Sequence, residues 1–480
     1  MNTLNSFFPF PFSTTIKVTA STDFQGQLFL GVDSIKFAAA DYARTTFSST
    51  QFGFGQISNT VSITGDNFRN FISVHLTNGD TEFSAAGWSF SNWVPYNPFQ
   101  NDEITIYGSS ASDNITGSIM ADGLIGNDGN DILSGLDGSD YLIGGNGSDT
   151  LIGGTGDDHY RLDNIHAVEF VIGPAFRFNL PDIIFSNFAF DKVVEGAQGG
   201  TDTVELYRVN GFDHYTLPDN VENGVIFGTI ENGNLISSVM GKFTLTGNGL
   251  ANALTGNDDT NLLQGQDGTD QLKGKGGNDT LIGGAGADAL DGGTGIDTAS
   301  YAGAAAGVNV SLANPAGNTG AAAGDTYVSI ENLAGSSFND SFNGNNGVNE
   351  IFGGTGNDAI RGNLGNDVLW GQAGNDIFIF NAALNAATNV DKIMDFAVAG
   401  DSIRLENSIF TALGASGALA PAAFAANATG LAGDASDRII YETDTGKLFY
   451  DADGTGAAAA VQFATLTAGL AVTAADFLIV

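Results

Sequence analysis

Between Gly126 and Arg161 aspartate recurs on a strict nine-residue period, at 131, 140, 149 and 158, with glycine at 126, 135, 144 and 153. Two positions after each aspartate stands an apolar residue: Leu133, Leu142, Leu151 and Tyr160. The chemistry such a pattern can do is hard-cation ligation. Glycine allows the positive φ of a tight turn, and that turn points backbone carbonyls and one carboxylate inward. Calcium takes six to eight oxygens of these kinds. Other chemistries find little support. There is no cysteine, so no thiol reacts and no disulfide staples the fold. The four histidines, His75, His159, His166 and His214, form no H-E-x-x-H, and no G-x-S-x-G elbow occurs. His159 reads as solvent-facing within a repeat turn, and Gly400-Asp401-Ser402 as structural. A carboxylate glycosidase leaves no motif, but residues 1–107 show no candidate acid in an apolar setting.

The elements that must position these aspartates are short strands. The three residues after each aspartate extend, and the middle side chain faces a shared core. In the same phase, Asp113 and Asp122 with Ile115 and Leu124 carry the first array back to residue 108, giving 108–162. A second array, 246–300, places Asn252, Asn261, Asp270, Asp279, Asp288 and Asp297 in phase. Its opening asparagines lack the charge, so calcium is expected only in the later turns. A third, 335–380, places Asp340, Asn349, Asp358, Asp367 and Asp376. Between the arrays lie β connectors, 163–245 and 301–334. The echo of GTDTVE…DNVENG in GIDTAS…VSIENL suggests that array and connector were copied together. Residues 1–107 read as a β-rich aromatic domain. Its Trp88, Trp93, Tyr96 and Phe99 serve either a sandwich core or a binding face. Residues 381–480 form a C-terminal β module.

Composition agrees with a metal role. Among 480 residues, 67 are glycine and 9 are proline, and 54 acidic against 16 basic residues leave a net charge of -38. Unneutralised, that charge opposes compaction and repels nucleic acid and anionic lipid. The acid is therefore read as ligand, and folding and metal binding as one event. No run is long enough to span a membrane. FFPFPF at 7–12 is apolar but broken by Pro9 and Pro11, with no preceding basic residue, so it fails as a secretory signal. It packs back on its own domain or docks into a neighbouring subunit.

The three arrays resemble those of the RTX (haemolysin-type calcium-binding) family, whose repeat is G-G-x-G-x-D-x-U-x. The resemblance implies an all-β fold of parallel β-rolls, two nonapeptides to a turn, with calcium between turns stacked eighteen residues apart. It pairs Asp122 with Asp140, Asp131 with Asp149, Asp140 with Asp158, Asp270 with Asp288, Asp279 with Asp297, Asp340 with Asp358 and Asp358 with Asp376. Asn349 opposite Asp367 departs from the pattern. The metal-binding positions it implies in the first array are Asp113, Asp122, Gly126, Asp128, Asp131, Gly135, Asp137, Asp140, Gly144, Asn146, Asp149, Gly153, Thr155 and Asp158. In the second they are Asp270, Gly274, Gly276, Asp279, Gly283, Ala285, Asp288, Gly292, Thr294 and Asp297. In the third they are Asp340, Gly353, Thr355, Asp358, Gly362, Leu364, Asp367, Gly371, Ala373 and Asp376.

The last hundred residues, with NVDKIMDF, DRIIYETDTGKLFYDADGTG and DFLIV, resemble the C-terminal region of serralysin-type proteins. That likeness implies an uncleaved type I export signal at Asp476–Val480. Asp451 and Asp453 offer either another calcium site or an ordinary polar turn. The expectation is a secreted calcium-binding structural protein of S-layer, filament or adhesin type, assembling with itself, with a cell-surface polysaccharide as a further partner. The alternative is a secreted, polysaccharide-active enzyme with its catalytic unit in the N-terminal domain.

Overall fold

The computed structural model describes residues 14–30, 32–39, 42–52, 57–66, 68–93, 102–162, 191–196, 200–208, 214–231, 234–236 and 242–480. Phe7–Phe12, Tyr96, Phe99 and His166 lie outside them. Among the described residues there is no α-helix, only strands and short 3-10 turns. The chain divides into two units, Met1–Asp213 with Leu217–Val239, and His214–Thr216 with Met240–Val480.

In the first unit, successive nonapeptides alternate between two parallel ladders. Asp122–Asp128, Tyr141–Asn146 and His159–Leu162 pair in one ladder, and Asn114–Thr116, Ile132–Asp137 and Thr150–Thr155 in the other. Leu124 sits opposite Leu142 and Leu133 opposite Leu151, an eighteen-residue register. The chain makes each parallel connection by passing through the opposite ladder, so no crossover helix is needed. Ile115, Leu124, Leu133, Leu142, Leu151 and Tyr160 are fully buried between the ladders. Period two within each strand and period nine along the chain together put one apolar side chain per repeat inside.

The ladders do not stop at the array edges. Ala43–Ser48, Asn70–His75 and Glu103–Tyr107 pair in parallel and lead into Asp122–Asp128. Beyond the array, Thr203–Arg208 and Asn223–Glu231 continue the same ladder. The alternating pattern of residues 1–107, expected as a sandwich core, thus belongs to parallel ladder strands with one face buried. A separate parallel set, Thr14–Val18, Val32–Phe37, Ile57–Thr64 and Ser89–Ser91, accompanies them. Trp88 stacks on Phe52 and packs edge-on to Phe83, and Trp93 packs near Phe37 and Phe90. Both tryptophans are buried, so they form core and no binding face.

In the second unit a ladder runs from Phe243–Thr246 through Asn261–Asp267, Thr280–Ala285, Thr298–Ser300, Asn332–Ala334, Glu350–Thr355, Val368–Ala373 and Asp391–Ile393. The second and third arrays therefore share one ladder across the expected connector. The C-terminal residues close it. Val461–Thr465, Lys447–Tyr450 and Ile439–Glu442 add to one edge, and in a separate ladder Phe477–Ile479 pairs with Ser402–Leu405.

Candidate metal centre

Each in-phase aspartate is buried, and from Asp131 onward in the first array one carboxylate oxygen ties two stacked turns. Asp131 Oδ1 accepts the backbone N–H of Asp113 at 2.7 Å, and Asp140, Asp149 and Asp158 accept from Asp122, Asp131 and Asp140 at 2.8 Å. The second array repeats this with Asp270, Asp279, Asp288 and Asp297, and the third with Asp358, Asp367 and Asp376. Asn349 donates its N–H to Asp367 Oδ1 at 2.8 Å like any aspartate of the row. The eighteen-residue pairing is thus a backbone-to-carboxylate bond, and it needs no charge on the donor residue.

The other oxygen is left over. Oδ2 of Asp131, Asp140, Asp149, Asp158, Asp270, Asp279, Asp288, Asp297, Asp358, Asp367 and Asp376 is buried with no hydrogen-bond partner. An unpaired buried carboxylate oxygen is costly unless something cationic meets it. In several turns it faces a backbone carbonyl across a glycine. A methyl group on Gly353 would lie 2.5 Å from Asp358 Oδ2 and 2.7 Å from the Gly371 carbonyl oxygen. The same collision would occur at Gly126 (Asp131, Gly144), Gly135 (Asp140, Gly153), Gly265 (Asp270, Gly283) and Gly274 (Asp279, Gly292). At Gly292 it involves Asp297 and the Ser329 carbonyl. Two oxygens therefore converge beside a residue that only glycine can fill.

Four residues before each of these aspartates, the backbone is left-handed: φ is 84° at Leu136, 81° at Gln266, 79° at Lys275 and 66° at Gln372. That conformation costs a non-glycine residue about 1–2 kcal/mol. Burial raises the carboxyls well above their ordinary value. Asp140 is pushed up to about 9 by burial first and then by the charges of Asp122 and Asp158. Asp131, Asp158 and Asp279 rise to about 7, and Asp270, Asp358 and Asp367 to about 6, burial leading each time. Orphaned carboxylate oxygens, convergent carbonyls and strained turns all fit calcium. Bound, the ion would supply the positive charge these oxygens lack. The expected turn residues Asp128, Asp137, Asn146, Thr155, Ala285, Thr294, Thr355, Leu364 and Ala373 point their side chains outward. Asn146 donates to Asp128 at 2.6 Å and Thr155 to Asp137 at 2.7 Å, which stitches the outer rim. Gly144, Gly362 and Gly371 line the inner side, buried, whereas Gly276 holds the rim position opposite Thr294.

Three predicted metal aspartates are set apart. Asp113 accepts Ser109 N–H at 2.6 Å as well as the Ser109 hydroxyl, and Asp340 accepts Ser336 N–H at 2.7 Å and its hydroxyl. Asp122 is closed in the same way by Ser118. Asn252, Asn261 and Asn349 accept the N–H of Asn248, Asn257 and Asn345, each at 2.8 Å. In these turns the residue four places back is Ser or Asn. Its side chain also takes the N–H two residues on, as from Ala111, Met120 and Phe338. None of these six residues has a left-handed φ. Each array therefore opens with two turns closed by their own hydrogen bonds. We assign Asp113, Asp122 and Asp340 to that closure, because their oxygens already have donors.

Sequence reasoning missed the acids that finish each array. Asp191 and Asp202 accept the N–H of Asp149 and Asp158, and Asp325 and Glu331 those of Asp288 and Asp297. Asp391 and Asp401 accept those of Asp367 and Asp376. The nine-residue spacing fails there, but acid-x-apolar persists in Asp191-Lys192-Val193, Asp202-Thr203-Val204 and Asp401-Ser402-Ile403. Asp401 also accepts Ala397 N–H at 2.7 Å, which makes the Gly-Asp-Ser triplet structural. Asp451 takes the N–H groups of Asp453 and Gly454 and forms a polar turn. His159 lies on a strand, half-buried, with Nε2 2.7 Å from Glu205 Oε1.

Comparisons with known proteins follow this geometry. A family model described as the RTX calcium-binding nonapeptide repeat, in four copies, matches residues 125–160, 246–281, 264–299, 329–360 and 352–382. These are calcium-binding repeats, with multiple sites for the ion. No curated protein matches the chain. Among solved structures, one titled extracellular lipase LipA from Serratia marcescens is similar at 16% identity, over 86% of this chain and 45% of that one, with a TM-score of 0.13. The chain thus spans less than half of that lipase, and a likeness at this level carries no argument.

Proposed function

We propose that this chain of RTX calcium-binding repeats is an extracellular scaffold. It leaves the cell by a type I route, folds on meeting calcium, and assembles with copies of itself at a cell surface or in a matrix, with polysaccharide as a further partner. One observation carries the reading: the parallel ladders continue from the arrays into the residues on either side of them. Stacked turns of this kind suit a rigid support. Among the described residues no helix is long and apolar enough to cross a membrane. The strand Phe477–Ile479, expected to belong to an export signal, is paired with Ser402–Leu405, and Phe477 and Ile479 are buried. Any machinery that reads it must do so before folding.

The test compares the full chain with a variant lacking residues 1–12, by electron microscopy and light scattering in millimolar calcium. Ordered multimers from the full chain alone, with equal circular dichroism for both, support the scaffold. A full-length chain that stays monomeric in calcium and cleaves a polysaccharide replaces it with the enzyme reading.

A further inference from the structure

The last turn of the first array differs from every interior one. Its apolar slot holds Tyr160, where the four preceding repeats hold leucine. A methyl group on Gly153 would strike Asp158 Oδ2 and, in place of the glycine carbonyl met at Gly126 and Gly135, the Tyr160 hydroxyl. That hydroxyl accepts Gly153 N–H at 2.9 Å and donates to Glu195 Oε2. Glu195 lies outside the nonapeptide pattern and is itself buried, with Oε1 accepting Gly196 N–H at 2.7 Å. Asp202 completes the group by accepting Asp158 N–H at 2.8 Å. Carboxylate oxygens of Asp158, Glu195 and Asp202 all lie within 4.8 Å of one another. Asp158 is 2% exposed and Asp202 0%, and Oδ2 of each has no partner.

We propose that Asp158, Glu195 and Asp202, with the Tyr160 phenol oxygen beside them, form a calcium site distinct from the repeat sites. Interior sites draw on backbone carbonyls and the carboxylates of stacked repeats. This one gathers three carboxylates, two of them from the segment that follows the array. An all-oxygen, carboxylate-rich donor set selects a hard cation. The ion pins Glu195 and the strand Thr203–Arg208 to the final turn, so it acts as the clasp between array and connector. The proposal adds to the scaffold reading and does not depend on it.

Terbium, a calcium mimic whose emission is sensitised by a nearby tyrosine, reports this site in the full chain. Glu195→Gln should bind one ion fewer than wild type, and Tyr160→Phe should lose a component of tyrosine-sensitised emission. Asp140→Asn is the reference for a repeat site. Glu205→Gln, on the outward-facing neighbour of His159, should keep the wild-type count. An unchanged ion count in a folded Glu195→Gln together with unchanged emission from Tyr160→Phe overturns the clasp. If Glu195→Gln does not fold in calcium, the emission of Tyr160→Phe decides alone. An unchanged count in Asp140→Asn would instead speak against the repeat sites and leave the clasp standing.

Discussion

At the scale of single residues, what separates one aspartate from another is whether its second oxygen already has a donor. Asp140 Oδ1 holds the Asp122 N–H, and its Oδ2 is bare. Asp113 has both oxygens occupied by Ser109. Asp140→Ala should therefore raise the calcium midpoint of folding by about tenfold or more, the scale of losing a metal-site group. Asp113→Ala should leave that midpoint within about twofold and lower stability by about 1–3 kcal/mol through the unpaired N–H. Equal midpoints by circular dichroism titration would contradict the distinction. The same carboxyls set the pH response of the calcium-free chain. Asp140 rises to about 9, and Asp131 and Asp158 to about 7, from an ordinary value of 3.8. The folded state then binds more protons than the unfolded one between about pH 4 and pH 9, so stability without calcium falls as pH rises through that window. Acidifying a chelator-treated sample from pH 8 to pH 5.5 should increase its β signal. Calcium must displace those protons, so its midpoint should be lower at pH 8 than at pH 6. A β signal that is flat or decreasing on acidification would refute the assignment of buried, unpaired carboxyls.

At the scale of the turn, the structure holds two designs on one period. The calcium turns keep a left-handed residue four places before the aspartate, as at Leu136 and Lys275. That strain persists only where something else stabilises the turn. The opening turns of each array put Ser or Asn there and satisfy the acid locally. These turns should retain structure first as calcium is withdrawn. Ser118→Gly removes the hydroxyl that holds Met120 N–H at 3.0 Å. It should speed hydrogen exchange near residues 118–124 in chelator while leaving the calcium midpoint unchanged. A midpoint shift as large as that of Asp140→Ala would erase the two classes. The sequence showed the period, the buried apolar slot and the eighteen-residue register, because all three repeat identically. It also marked Asn252 and Asn261 as turns without the charge. It hid the closed turns at Asp113, Asp122 and Asp340, since the aspartate looks the same and only the serine four places earlier differs. It hid Asp191, Asp202, Asp325 and Asp401 because insertions break the spacing while the backbone returns to the same ladder. Local pattern reports local turns. A residue brought back after a long excursion needs the fold to reveal it.

At the scale of the whole chain, the net charge of -38 meets strands that are individually too short to persist. Each strand is held by its neighbours eighteen residues away and by a carboxylate whose burial is unfavourable without a cation. Loss of calcium should therefore act on many turns together. Extracellular calcium modules bind with dissociation constants of about 10⁻⁴–10⁻³ M, so single sites contribute little and the response must be cooperative across the array. In chelator at pH 8 the chain should expand toward an unfolded radius, and a few millimolar calcium should compact it in one steep transition. The strand Phe477–Ile479 follows the same switch. It pairs with Ser402–Leu405, which pairs with Ile377–Phe380 of the last array turn, where Asp376 carries an orphaned oxygen. Calcium at that turn and burial of Phe477 and Ile479 should then be coupled. Carboxypeptidase should trim the chain past Ile479 readily in chelator and slowly in calcium, and Asp376→Asn should need more calcium for that protection. Small-angle scattering that gives the same compact radius with and without calcium, or trimming that ignores the ion, would show that the roll stands without metal.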